Sequence, residues 1–470
     1  MHGVALGTVA AHGRCAMMGR VKAPDGLRCG RRQGGRASAC GEVRAIPADG
    51  GRGVAQGDLA KPGATPASVW RNRNLVILVS GQWVSQIGNN LFELAVFWYV
   101  LAATHQAADL GWVGTAMALP GVLGLATGVF VDRMDRRWTM FGSDVVRAAL
   151  SALLGLLALA HVLPLWLFLL LVLALMAVGT FFGPAARALL PQIVPSEQLA
   201  SANGVYASAQ NSAQLVGLFG GGAIMALLGP VLLFFLNSGS FVVSVVSLVF
   251  MRVPRPASAN GRRGGDMGQL YTEWLEGFQL YRSITLLRAF LFTALAINFA
   301  GQGLDVLAAA WVQGSLHGGA FTYALFGGAI TIGAIMGSLG TGVVLRRIPL
   351  ERALFLGTVA IGALVVLLSR IPLLWVTLAT MLLGGVAMGV INTGLTTKMQ
   401  SIVPQEKMGR VFGTLNAMVT LANPLGAAVA GALATVWSVG FIYLLIGCLI
   451  LLGSLPLLRL RPADSATAAA

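Results

Sequence analysis

Glu93, Asp144, Arg147 and Asp305 are charged residues set inside long apolar stretches of the chain. A charge at the centre of a bilayer costs roughly 2.5–3.5 kcal/mol, so each of them needs a partner, a water-filled cavity or a function. Asp144 and Arg147 stand three residues apart, hence on one helical face, with the spacing of an ion pair; they are expected to join a charge network at one end of the protein. Glu93 has no basic residue in its own stretch, and Gln86, Asn89 and Asn90 share or adjoin its helical face. A carboxylate without a basic partner in a low-dielectric cavity can take up and release a proton, which makes Glu93 the proton-coupling candidate. Asn298, Gln302 and Asp305 form a second strip, with Asp305 nearer the end of its stretch and expected to be solvated. Asn211, Gln214 and Asn392 are candidates to complete the lining of a substrate cavity, or to form hydrogen bonds between helices.

Other chemistries find no support in the residues. No nucleophile is spaced with a base, and the one histidine in an apolar stretch, His161, is at its edge. The phosphate-binding Gly-x4-Gly-Lys-Ser/Thr pattern is missing, and the cysteines (Cys15, Cys29 and Cys40 early, Cys448 late) have no metal-site spacing. The expectation is no enzyme, no cofactor and no metal.

The elements that must position these residues are membrane helices. Hydrophobic residues make up 56% of the 470 residues and charged ones 10%, with a mean hydropathy of +0.78; a water-soluble domain carries about 25% charged residues. A spanning helix takes about 20 apolar residues, and twelve are predicted: 74–101, 108–130, 138–161, 164–186, 203–228, 231–252, 286–312, 321–344, 350–369, 372–396, 409–435 and 437–459. Trp98, Tyr99, Trp112 and Trp311 fall near span ends and are expected to anchor at the interface. The net charge of +15 does not suggest nucleic acid, because no basic stripe with interleaved aromatics accompanies it.

The arginines give a topology. One set of alternate loops holds Arg133, Arg136, Arg137, Arg187, the run from Arg252 to Arg282, Arg346, Arg347, Arg352, Lys398, Lys407 and Arg410, while the other holds Arg370 alone. The positive-inside rule then puts both termini in the cytoplasm. The domain reading is a disordered basic tail at 1–70, a six-helix half at 71–252, a linker at 253–285, a second six-helix half at 286–460 and a short tail at 461–470. In the linker Leu270, Trp274, Phe278 and Tyr281 recur at helical spacing, as in a helix lying on the membrane surface.

The two halves repeat. A shift of 209 residues places Ile193-Val194-Pro195 on Ile402-Val403-Pro404, Glu197 on Glu406, Gly124 and Gly128 on Gly333 and Gly337, Gly217 and Gly222 on Gly426 and Gly431, and Asn89 on Asn298. Two like-oriented halves related by an axis along the membrane normal form a transporter architecture.

The loop after the second span reads Gly128-Val-Phe-Val-Asp132-Arg133-Met-Asp135-Arg136-Arg137. It resembles the signature of the major facilitator superfamily, with Asp135 where that family usually has glycine. Gly81-Gln82, Ser85 to Gly88, Asp144 to Arg147 and Pro191 to Pro195 resemble its drug and siderophore efflux branch, which includes macrolide and enterobactin exporters. The fifth span carries Gly217, Gly221 and Gly222 without the proline many exporters have there. The resemblance covers Asn74 to Leu460. It implies an all-α fold of twelve transmembrane helices in two pseudo-symmetric halves, and alternating access with Gly128, Asp132, Arg133, Arg136, Arg137, Asp144 and Arg147 in a conformational latch. The activity it implies is proton-coupled export of an amphipathic organic compound (drug, macrolide-like or siderophore-like) by a monomer in the inner membrane of a bacterium. Its partners would be that small molecule, protons and the bilayer. A lipid or lysolipid flippase and a transporter-like sensor are the alternatives on the same fold.

Overall fold

The computed structural model describes residues 69–131, 134–195, 198–251, 275, 278–279, 281–282, 285–403 and 405–458. The tails expected at 1–70 and 461–470 lie outside the described residues, apart from 69 and 70. Twelve long helices occur among those described: α1 (Arg73–Thr104), α2 (Ala107–Val131), α3 (Arg136–Leu159), α4 (Leu165–Ile193), α5 (Leu199–Leu228), α6 (Pro230–Phe250), α7 (Thr285–Val306), α8 (Ala320–Arg347), α9 (Leu350–Arg370), α10 (Leu374–Ile402), α11 (Gln405–Leu433) and α12 (Val439–Leu458). Ten of them, α3 to α12, contain a stretch long and apolar enough to cross a membrane. The other two are long enough, at 32 and 25 residues, since about 20 residues already span 30 Å. The polar strip from Gln82 to Glu93 is what lowers the apolar character of α1.

Helix pairing shows the repeat in three dimensions. In the first half α1 packs on α5 and α6, α3 on α4 and α6, and α2 on α4; in the second, α7 packs on α11 and α12, α9 on α10 and α12, and α8 on α10. Each pairing maps onto its counterpart when six is added to the helix number. The halves meet along two seams, α2 against α11 and α5 against α8, which the same operation exchanges.

Several helices run past their apolar stretches. α4 is two pieces, Leu165–Gly179 and Phe182–Ile193, and the second is amphipathic. Its buried Phe182, Ala185, Leu189 and Ile193 pack against Val69, Leu75 and Leu78. Burial against protein, not lipid, lets α4 reach Ile193 where hydropathy alone ends it near 186. Asn72 ties this corner together: its Oδ1 caps α1 by accepting from the Asn74 and Leu75 amides, and its Nδ2 donates to Ile193 O at 2.7 Å.

In the linker, Leu270 and Trp274 lie outside the described residues. Tyr281 does not lie on a membrane surface: it is buried against Met399, Val403 and Val411, and its hydroxyl donates to Val411 O at 3.1 Å.

Candidate functional site: two carboxylates between the halves

The seams close tightly at the arginine-poor end of the bundle. A Cβ on Gly111 of α2 would come within 2.3 Å of Gly431 Cα on α11, and one on Gly114 within 3.0 Å of Ala427. On the other side a Cβ on Gly222 of α5 would meet that of Ala324 on α8 at 2.1 Å. Glycine at these crossings lets the helices approach to backbone contact. After α7 the chain turns through Leu307 and a short helix, Ala308–Gly314, where Val306, Leu307, Ala309 and Val312 are fully buried. Together they stopper this end.

Beneath the stopper sit Glu93 and Asp305. Both are exposed, although their neighbours Phe92, Leu94, Leu304 and Val306 are buried. Their exposure is to the interior of the bundle: Asp305 lines a cavity of about 340 Å³ with Asn298, Gln302, Thr380 and Asn423, and the Glu93 and Asp305 carboxylates are close enough for their charges to interact. Tyr323 of α8 lies within Coulombic reach of both, and its ring stacks on Trp98 of α1 at 5.9 Å. Asp305 is therefore brought to Glu93, not left in solvent at a helix end, because the buried segment after it keeps that end inside the protein.

Asp144 and Arg147 turn into the first half, away from the α2–α3 loop. Arg147 approaches Asp144 at 3.6 Å, donates to Asn89 Oδ1 at 2.7 Å and lies 4.1 Å over the Phe241 ring. Asp144 accepts from Ser244 Oγ at 2.5 Å, and that hydroxyl accepts from Gln82 Nε2 at 3.0 Å. The network joins α1, α3 and α6. Asn89 thus serves Arg147 rather than the cavity. Asn90 is buried, donates to Gln86 O and packs against Gly217 of α5. Gln86 is half-buried, and Asn211, Gln214 and Asn392 are exposed on α5 and α10. Asn392 and Asn298 border a second, smaller cavity of about 40 Å³.

Of the latch candidates, Asp132 and Arg133 lie outside the described residues, as do the surroundings of Gly128; Arg136 is half-buried at the start of α3. Among the described residues Arg137 meets no carboxylate: its Nε and Nη2 donate to Leu248 O and Val249 O at the end of α6, the favourable place for a cation. Asp135 N-caps α3 through the Arg137 and Trp138 amides, which explains an acid where glycine is usual. Trp98, Tyr99 and Trp311 are packed internally, Tyr99 on Phe168 and Trp311 on Tyr443, so only Trp112 of the four is exposed.

Tyr323, Thr380 and Asn423 escaped the sequence reading. One signal existed: Asn423 is 209 residues after Gln214, as Gln302 is after Glu93.

A membrane bundle of two like halves, sealed at one end over polar side chains from both, is the body of a transporter and not of an enzyme. The chain belongs to the major facilitator superfamily, whose model matches residues 78–427. It is 28% identical to the MFS-type transporter YfiS of Bacillus subtilis (strain 168), over 84% of this chain and 96% of that protein. It is 26% identical to macrolide efflux protein A of Streptococcus pyogenes, over 79% and 92%. Among solved structures, a bacterial homologue of the human lysosomal transporter Spinster, in an inward-facing and unoccupied conformation, superposes with a TM-score of 0.62 at 15% identity, covering 87% of this chain and 98% of that one.

Proposed function

We propose that this transporter exports an amphipathic organic compound from a bacterial cell by alternating access, driven by proton uptake at Glu93. The observation that carries the reading is the position of Glu93. It is an accessible carboxylate on a helix otherwise buried around it, directly below the stopper and facing a carboxylate of the other half. A proton gained or lost there changes the charge where the halves must separate. The sealed arginine-poor end, with Asn211, Gln214 and Asn392 exposed toward the other end, reads as the inward-open state if the arginine-rich loops are cytoplasmic. Engagement of Arg137 with α6 fits that state, because the α2–α3 loop would latch the halves only when the cytoplasmic end closes. Efflux by relatives such as macrolide efflux protein A supports the direction.

The protein would act as a monomer in the inner membrane with both termini cytoplasmic. In proteoliposomes with an imposed pH gradient, Glu93→Gln is expected to abolish gradient-driven export while leaving the protein folded. Gradient-driven export that survives in the variant removes the coupling role, and flux of a lysolipid without any gradient would replace the reading with a flippase.

A further inference from the structure

We propose that a groove on the bilayer side of the α2–α11 seam binds an acyl chain of a membrane phospholipid, and that the bound chain favours the state sealed at the arginine-poor end. The groove holds about 480 Å³ between Ala108, Gly111 and Trp112 of α2 and Ala428, Val429 and Ala432 of α11. It lies on the outer flank of the seam. The inner flank is closed, with Gly114 against Ala427 and against Val306 of the stopper. Trp112 and Leu119 of α2 share a helical face, as do Leu425 and Val429 of α11, and all four are exposed. An exposed apolar flank on a membrane bundle meets hydrocarbon. None of the residues lining the groove is charged. The hydroxyl of Thr435, which also lines it, is taken up by Ala432 O at 2.7 Å. Trp112 sets its indole within the first two turns of α2, at the depth where such rings meet lipid headgroups. An acyl chain asks nothing polar of its site, and this site offers nothing polar below that ring.

The twin seam shows what belongs in such a place. The crossing glycines, Gly222 of α5 and Gly431 of α11, stand 209 residues apart, and three residues before them come Phe219 and Ala428. Phe219 lays its ring on Gly328 of α8, where an added Cβ would meet the ring at 2.6 Å. The α5–α8 seam is therefore filled by an apolar side chain of the protein itself. In the α2–α11 seam Ala428 leaves the equivalent place open, and the residue matching Gly328 is the exposed Leu119. An unfilled apolar groove loses the dispersion contacts its walls would make, and a neighbouring lipid tail can restore them. A chain lying there touches α2 and α11 together, one helix from each half. Parting the halves at this end divides the walls of the groove, so a ligand that needs both walls shifts the population toward the sealed state. Such a site is independent of what the transporter carries and in which direction.

The test is photolabelling of the full-length protein in phosphatidylcholine nanodiscs that contain a trace of phosphatidylcholine with a diazirine on one acyl chain. Labelled peptides are mapped by mass spectrometry. Those carrying Ala108–Trp112 and Ala428–Thr435 are expected to take up at least fivefold more label than those carrying Leu156 and Leu159, exposed apolar residues at the same end of α3. Ala428→Phe supplies the ring that Phe219 supplies in the other seam and should lower labelling of the groove at least fivefold. Ala432→Leu, at an exposed position, is a second plug should the first fail to fold. Spin labels at the arginine-poor end of α2 and α11 read the conformational effect. On transfer to a fluorinated surfactant, which has no hydrocarbon tails, the distances should lengthen in the wild type and stay short in Ala428→Phe. Labelling of the groove no stronger than that of α3, or unchanged in both plugged variants, overturns the site. Wild-type distances indifferent to loss of phospholipid overturn its coupling to the sealed state. A groove shielded from the lipid label in a protein that migrates as a dimer would give the place to a second copy of the chain and overturn the lipid.

Discussion

The two halves share a backbone plan but spend their interiors differently. The first fills the space between α1, α3 and α6 with a polar network: Asp144, Arg147, Asn89, Gln82 and Ser244, continued by Ser151 donating to Phe234 O and Asn237 donating to Ser151 Oγ. The corresponding residues 209 positions on are Ala353, Leu356, Asn298, Leu291, Gly453, Ala360 and Ile446. Every charge is gone, and only the asparagine persists. With no arginine to meet, Asn298 donates to Ala294 O in its own helix and borders the 340 Å³ cavity, which Ile446 also lines. Where one half holds an ion pair, the other holds space. A buried pair sets geometry more than it adds stability, so the first half reads as the rigid member and the second as the one that accommodates a guest.

The sharpest way to break that comparison is to remove the pair. Arg147→Leu alone leaves Asp144 buried beside Ser244, and loss of one partner of a buried pair costs about 3–5 kcal/mol. Asp144→Ala alone strands Arg147 likewise. The double variant carries the residues that the second half has at these places, Ala353 and Leu356, and is expected to recover most of the loss. Thermal unfolding of the purified protein completes the double-mutant cycle. If the double variant is as unstable as the sum of the singles, the pair is not a self-contained unit, and the contrast between the halves is weaker than the residues suggest.

A smaller effect is expected at the seams, where the halves are most alike. Gly431 and Gly222 occupy equivalent positions, but Gly431 lies on the backbone of Gly111 and Gly222 on the side chain of Ala324. Gly431→Val puts branched bulk on a backbone that cannot yield, and overpacking of this kind costs about 1–3 kcal/mol. Because the cost falls on the sealed arrangement alone, it should favour the state parted at the arginine-poor end by roughly tenfold for each 1.4 kcal/mol. Spin labels at that end of α2 and α11 should report longer distances in Gly431→Val. The same labels should move in Gly222→Val paired with Ala324→Gly only if the α5–α8 seam has no room even after the alanine methyl is removed.

Much of this architecture was legible in the sequence because a bilayer permits few solutions. A helix must satisfy its own backbone in lipid, so apolar length marks each span, and a 209-residue shift forecasts which helices pair. Side-chain partners were less legible. Asn89 and Glu93 are one turn apart on α1, yet about 40° of rotation separates them, enough to aim Asn89 at Arg147 of α3 and Glu93 at the interior. Asp305 looked solvated because an apolar stretch ends near it; that the next residues, Val306 to Val312, are buried protein is a tertiary fact. Trp98 and Trp311 misled for the same reason, since an aromatic near a span end fits an interface and a helix contact equally well.

The smallest expected effect compares the entrances to the two halves. Asn72 and Tyr281 stand 209 residues apart, just before α1 and α7, and each fastens its half by a different bond. Asn72 does two jobs, capping α1 and donating to Ile193 O, whereas Tyr281 makes a single hydrogen bond to Val411 O. Burial raises the Tyr281 hydroxyl above its ordinary ionisation range, so it stays protonated and a donor at any physiological pH. Asn72→Ala removes a cap, about 0.5–2 kcal/mol, and leaves the Ile193 carbonyl without its donor. Tyr281→Phe removes one hydrogen bond, about 1 kcal/mol, and keeps the ring that packs on Met399 and Val403. Thermal unfolding should therefore rank Asn72→Ala below Tyr281→Phe. The opposite order would mean that the linker fastens the second half more strongly than the cap fastens the first, and that the second half's openness depends on a firmer grip at its entrance.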